Sequence, residues 1–256
     1  MLRILHSIGI ILLVTACNPD EPTCRLGFGN GYSARKCLCG HEHFTCPDKK
    51  RHANITKTGG WKTPSSYVYN LDEGLVAAIV TLVGVNSTVI ELGAGSGCYV
   101  SALRRHKVRM VGYDFNAPEK LGAGVHSYDL VHHADLSTPQ QLLVGDWVLS
   151  LEVGEHIPAT SMHGFVHNLH VHNREGIVLS WATTRQGHGH VNPLSNPQVT
   201  NLFLERGYVV DTKATAALRA ASGITGMFWF RRTLQVLRRA HTAHSTSGGR
   251  SMVEAI

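Results

Sequence analysis

The stretch Val89-Ile90-Glu91-Leu92-Gly93-Ala94-Gly95-Ser96-Gly97 constrains this chain more than any other. Two β-branched residues, an acid and a leucine run into three glycines at alternate positions. The pattern predicts a buried strand over 88–92 that closes in a glycine turn and opens a helix near Cys98. Glycine lacks a Cβ, so the backbone there can take positive φ and let a ligand approach closely. The helix start aims unpaired N–H groups at the same spot. An ordinary tight strand–helix turn has the same outline, so the rest of the chain has to decide between them.

Downstream the pattern alternates. A helix over 71–83 precedes the first strand, and a crossover helix over 98–106 follows it, ending in the basic pair Arg104-Arg105, as suits a helix C-terminus. Strands are predicted over 108–113, 125–134, 147–153, 176–181, 208–212 and 233–237, with helices over 159–172 and 197–206. Strands alternating with helices imply an α/β fold, a doubly wound Rossmann-like domain around a mostly parallel sheet with helices on both faces. At 256 residues and 43% hydrophobic content, one full domain of this kind is accommodated, not two.

In an open parallel sheet, ligands bind beyond the carboxyl ends of the strands, so the residues ending each strand matter most. The first ends in the glycine turn, the second in Asp114-Phe115, the third in Asp135-Leu136. The spacing G-x-G-x-x-G of dinucleotide sites is not met, because Cys98 stands where its last glycine would fall. The pattern E-x-G-x-G-x-G instead resembles the first motif of the class I S-adenosylmethionine (SAM) methyltransferases, and the order of strand-ending acids matches that family over roughly 61–239. The resemblance implies the seven-stranded class I methyltransferase fold. It also implies a cofactor site made of Glu91, Gly93, Ala94, Gly95, Gly97, Asp114, Phe115, Asp135 and Leu136. There the turn would wrap the amino acid and ribose portions. Asp114 would accept the ribose hydroxyls, and Asp135 with Leu136 would meet the adenine amino group and ring face.

The fourth strand ends in Glu152-Val153-Gly154-Glu155-His156-Ile157-Pro158. This E-x-x-E-H pattern resembles the O-methyltransferases of ubiquinone biosynthesis and the small-RNA 2′-O-methyltransferases. In those relatives the acids and histidine, with a later histidine after the fifth strand, can bind a divalent metal. The resemblance implies Glu152, Glu155, His156 and His190 as ligands, with His188 the alternate, for Mg, Mn, Zn or Fe. The chemistry is coherent, since a hydroxyl attacks a sulfonium methyl poorly unless deprotonated, and a divalent ion lowers its pKa. Alternatively Glu152 and Glu155 cap the following helix and His156 only packs. Without metal, His156 or His190 is the candidate base, with Glu155 beside it.

The ends read differently. Residues 1–16 carry one arginine and a short apolar run, too short to span a bilayer, and resemble a signal peptide. Val14-Thr15-Ala16-Cys17 also resembles a lipoprotein box; a misplaced start or a buried helix are the alternatives. Over 17–60 fall five of the six cysteines, which implies a disulfide-stapled, loop-rich segment. The competing reading there is zinc on Cys37, Cys39, His41, His43 and Cys46. Gly59-Gly60 reads as a linker, and 240–256 as a disordered tail. These ends point to the secretory pathway or a membrane anchor at 1–16, with a cytoplasmic location the alternative. SAM made in the cytosol would then have to be delivered.

The net charge of +6 permits a nucleic-acid partner without requiring one, and no aromatic-plus-basic RNA motif stands out. The sequence therefore implies a SAM-dependent O-methyltransferase acting on a small molecule or glycan. The competing classes are a non-catalytic secreted binding module that keeps the fold, and a nucleotide-cofactor oxidoreductase.

Overall fold

The computed structural model describes residues 56–60, 71–95, 97–116, 131–185, 187, 189–223 and 227–240, together with the backbone of 24–26 and 35–37. The leader, most of the cysteine-rich stretch, His188 and the C-terminal tail lie outside these residues. Within the cysteine-rich stretch, strands β1 (Cys24–Leu26) and β2 (Arg35–Cys37) pair antiparallel, with Cys24 opposite Cys37. Among the described residues no helix is long and apolar enough to cross a membrane.

Seven strands form the main sheet: β3 (Thr88–Leu92), β4 (Arg109–Asp114), β5 (Val131–His133), β6 (Gly145–Leu151), β7 (Asn173–Ser180), β8 (Tyr208–Val210) and β9 (Gln235–Arg239). Their order is β5-β4-β3-β6-β7-β9-β8. The pairs β3–β4, β4–β5, β3–β6 and β6–β7 are parallel, while β9 runs antiparallel between β7 and β8. The chain thus winds outward from β3 through β4 to β5, then returns to start again at β6. The carboxyl ends of β3 and β6 flank the point where the order reverses, which is where an open α/β sheet binds its ligand.

Period-2 alternation explains the two cores. Val89, Trp147 and Leu149 face one side with Met110 and Val178, beneath α1 (Glu73–Val83), α2 (Cys98–Arg105) and α5 (Thr212–Ala221). Ile90, Leu92, Val148, Ile177 and Leu179 face the other, packed with Phe165 and Leu169 of α3 (Met162–Val171) and Val199 and Phe203 of α4 (Asn196–Leu204). Central strands buried on both faces read as near-continuous apolar runs, which is why β6 and β7 stand out in sequence.

The strands lie close to their predicted positions, with 125–130 of the third outside the described residues, but two helices do not follow from the pattern. Helix α5 buries only Thr215 and Leu218 of its ten residues, so it has almost no apolar stripe to detect. Its signals were local: alanine-rich propensity and the Asp211 cap, whose side chain accepts the Ala214 N–H. The aromatic run ending in Phe230 makes a turn and the short helix α6 (Phe230–Thr233) rather than extending the last strand. Three arginines near this end of the chain are held by the fold. Arg231 donates to the Ser222 carbonyl, Arg238 pairs with Asp211 at 2.7 Å, and Arg239 donates to Asn173.

Candidate functional site

The glycine turn is anchored from β4. The N–H groups of Gly93 and Ala94 both donate to the Tyr113 carbonyl, at 2.8 and 3.0 Å. Gly93, Gly95 and Gly97 have φ of 84°, 55° and 76°, the left-handed region that side chains avoid. A Cβ on Gly93 would stand 2.3 Å from Val153, so the turn also needs glycine to lie against the end of β6. Asp114 completes the turn: one carboxylate oxygen accepts the Gly95 N–H and the other the Asn116 N–H, each at 2.8 Å.

Behind the turn, Glu91 is buried, and one of its carboxylate oxygens has no hydrogen-bond partner. Burial, then the charge of Asp114, pushes the Glu91 carboxyl well above its usual range. Asp114 is raised too, chiefly by burial. A buried acid with an unused oxygen beside a cavity is matched to a cationic, N–H-bearing ligand group.

That cavity has a volume of about 550 Å³. Of the residues expected to hold a cofactor, Glu91, Gly93, Ala94, Asp114, Phe115, Asp135 and Leu136 line it. Gly95 and Gly97 shape the turn from behind and are not in its wall. Asp135 differs from its expected role in part, because one oxygen already accepts the Ser137 N–H and hydroxyl, at 3.1 and 2.6 Å.

The far end of the cavity is built where β6 stops. Glu152 takes a φ of 55°, unusual for a residue with a side chain. Its N–H donates to the Ser180 hydroxyl at 2.9 Å, and its carboxylate accepts from the Thr233 hydroxyl at 3.2 Å. The chain then makes a single 3₁₀ turn over Gly154–His156 rather than entering a helix directly; α3 starts only at Met162. Neither Glu152 nor Glu155 caps α3. The Glu155 carbonyl accepts the N–H groups of Val191 and Asn192, both at 2.9 Å, which stitches this turn to the loop carrying His190.

The two imidazoles are oriented alike. His156 Nδ1 lies 3.1 Å from the Gly189 carbonyl, and His190 Nδ1 lies 2.8 Å from the Thr184 carbonyl. A carbonyl can only accept, so each Nδ1 carries a hydrogen, and in a neutral ring so oriented the lone pair sits on Nε2. His190 Nε2 is 3.8 Å from Glu155 Oε1, and the two rings meet edge to face at 5.1 Å. Donor atoms of Glu155, His156 and His190 all fall within 4.8 Å of one another. Glu155 is fully buried and neither carboxylate oxygen has a hydrogen-bond partner. Burial and the neighbouring Glu152 push its carboxyl well above its usual range. A buried carboxyl with donor atoms of two imidazoles within 4.8 Å is a donor set that fits a divalent cation. Glu152, expected as a fourth ligand, stands outside this cluster with its carboxylate bound to Thr233.

His156 is pushed down to about 4, chiefly by burial and further by the adjacent His190. An unfolded histidine titrates near 6.5, so below that pH the unfolded chain takes up a proton that the folded chain refuses. Stability is therefore lost as pH falls from about 6.5 towards 4, by about 3 kcal/mol in full. Buried Glu91 and Glu155 act in the opposite sense, so the difference between wild type and His156→Gln isolates the effect. In EDTA, urea unfolding between pH 7 and 4.5 is expected to show the wild type losing about 2–3 kcal/mol more than the variant. Parallel profiles would mean that His156 is not held neutral.

Sequence reasoning missed several wall residues. Gly59 and Gly60, read as a linker, line the cavity, as do Thr58, Tyr99 and Ile157. Met227, Trp229 and Phe230 also form part of the wall. The histidines of α3 stay away from the site; His170 packs edge-on against Tyr208.

No known family model matches the sequence, and no curated protein does. Solved structures with a similar outline include magnesium protoporphyrin IX methyltransferase from Synechocystis with bound SAM, at 17% identity and a TM-score of 0.48, covering 66% of this chain and 77% of that one. A small RNA methyltransferase aligns at 14% identity and a TM-score of 0.47, over 67% of this chain and 25% of that one. An O-methyltransferase family protein from Burkholderia thailandensis aligns at 15% identity and 0.41, over 66% and 56%. Likenesses at this level say nothing of what this chain binds or does. The strand order, with its last strand inserted antiparallel beside the sheet's edge, and the glycine turn at the reversal point give the chain the doubly wound, Rossmann-like class I methyltransferase fold.

Proposed function

We propose that this chain is a SAM-dependent methyltransferase that methylates a hydroxyl oxygen of a small molecule or glycan, with a divalent metal at Glu155, His156 and His190. One observation carries the reading: a single cavity is lined both by the Asp114-buttressed glycine turn and by His156 and His190, which have donor atoms within 4.8 Å of buried Glu155. Glu91 would take the ammonium of the cofactor's amino acid portion, and Asp114 the ribose hydroxyls. Asp135 and Leu136 would flank the adenine. The sulfonium methyl would then face the acceptor end.

There the acceptor hydroxyl would meet His156 and His190. In a metal-free reaction the hydroxyl proton passes to the His156 Nε2 lone pair as the sulfur–carbon bond breaks and the oxygen–carbon bond forms; with an ion held by His156 and His190 those lone pairs would be taken, and the proton would leave to solvent. His156 is held neutral at physiological pH, which leaves its lone pair free to accept. A bound divalent ion would supply acidity and orientation to the hydroxyl. Trp229, whose buried Nε1–H has no hydrogen-bond partner, offers the acceptor a donor. A metal-free variant of the reaction, with His156 alone as base, is supported by the same tautomer assignment.

Calorimetric titration of SAM and its demethylated product, S-adenosylhomocysteine, with and without EDTA tests the proposal. Product binding that persists in EDTA is expected. Absence of binding by either compound in both conditions would overturn it in favour of a non-catalytic module.

A further inference from the structure

The crossover from β5 at the sheet edge to β6 holds no helix; residues 134–144 run without helix or strand. Such a segment carries backbone donors and acceptors that no ladder satisfies, so they need partners from elsewhere. Helix α3 supplies several of them. Asn168 is fully buried and its amide is used in full. Its Oδ1 accepts the Gln140 N–H at 2.8 Å, while Nδ2 donates to the carbonyls of Leu136 and Thr138 at 3.2 and 2.8 Å. One turn on, His172 Nδ1 lies 2.8 Å from the Asn168 carbonyl, and Nε2 accepts the Leu142 N–H at 3.1 Å. One turn back, Gly164 abuts the same segment, where a Cβ would fall 2.4 Å from the Ser137 carbonyl oxygen. The near end of the segment is cavity wall, since Ala134, Asp135 and Leu136 all line it. Ser137 in turn holds one oxygen of Asp135 through its N–H and hydroxyl.

We propose that Asn168 is a positioning residue for base recognition: by holding residues 136–140 against α3, it places the Asp135 carboxylate to select an amino-bearing purine over its oxo counterpart. The inference rests on the SAM reading above. One Asp135 oxygen is bound to Ser137, so a base would meet the other. A carboxylate oxygen only accepts, so it binds the amino group of adenine and repels the carbonyl oxygen that replaces it in hypoxanthine. Such discrimination requires the carboxylate to be held within about 0.5 Å of its productive position. Neither Asp135 nor Ser137 lies in a strand or helix. What fixes them is the grip of Asn168 on the carbonyls to either side of Ser137, and the contact of Ser137 with Gly164. The platform is rigid, because Phe165 and Leu169 of the same helix are buried in the core.

The test compares S-adenosylhomocysteine with S-inosylhomocysteine by calorimetry on the full chain in EDTA. The wild type is expected to prefer the adenine compound by about tenfold or more. Asn168→Ser, too short to reach both carbonyls, is expected to cut that preference to about twofold, mainly by weakening S-adenosylhomocysteine. Gly164→Ala, which pushes on Ser137 from the same helix face, is expected to act likewise. A purely structural Asn168 would lower the urea midpoint and leave the preference unchanged. That result would overturn the proposal, as would a wild type that binds both compounds equally. If Asn168→Ser fails to fold, Gly164→Ala decides alone: a reduced preference supports the proposal, and any other result overturns it. A wild type that binds neither compound would overturn the SAM reading itself, a distinct failure.

Discussion

Glu155→Gln is expected to weaken binding of Mn²⁺ or Zn²⁺ by about a hundredfold or more while leaving S-adenosylhomocysteine binding in EDTA unchanged. It should also make the metal-free protein more stable. Both effects have one source. Glu155 is fully buried, and neither of its oxygens has a hydrogen-bond partner. Its carboxyl is pushed well above the usual range by burial and by Glu152. Such a group is a net cost to folding unless something positive joins it, and an isosteric amide removes the charge without opening a cavity. At pH 8 in EDTA, a gain of about 1–2 kcal/mol is expected, raising Tm by about 2–4 °C for a chain of this size. A purely structural Glu155 would behave oppositely, with lower stability in the variant and metal binding unmoved or absent from the start. Calorimetry with the metal alone and a thermal scan in EDTA distinguish the two cases.

The parts of the fold legible in sequence are those fixed by local pattern. Trp147-Val148-Leu149 and Ile177-Val178-Leu179 are buried on both faces of the sheet, so hydrophobicity alone marks them. Glycines at alternate positions mark the turn at the end of β3 because its backbone needs positive φ there. The strand-ending acids were readable for the same reason, since the parallel topology sends each strand's end to one edge. What the pattern could not separate was Glu152 from Glu155. Both are acids in one motif, and only the φ of 55° at Glu152 and the 3₁₀ turn after it bring Glu155 to the histidines while Glu152 binds Thr233. Gly59 and Gly60 were equally hidden. They read as a linker because the atoms that require them, on Phe115 and His156, are distant in sequence.

Gly154→Ala is expected to be the most damaging single-methyl change near the site, lowering stability by about 3 kcal/mol and abolishing metal binding. Gly154 sits between Val153 and Glu155 in the motif, and a Cβ there would lie 2.3 Å from ring atoms of Trp181. Trp181 cannot give way: it is fully buried, stacks edge-on with Phe165, and donates its Nε1–H to the Asn192 carbonyl at 2.8 Å. The 3₁₀ turn must move instead. That breaks the two hydrogen bonds from Val191 and Asn192 to the Glu155 carbonyl, which hold the His190 loop against it. Stability and metal binding should therefore fall together in Gly154→Ala, whereas Glu155→Gln separates them. Trimming the ring supplies the control. Gly154→Ala combined with Trp181→Leu should lose less stability than the sum of the two single changes, because the added methyl fills part of the space the indole leaves. Strict additivity in urea unfolding would mean that the close approach of Gly154 to Trp181 is not what sets the position of Glu155 and His156.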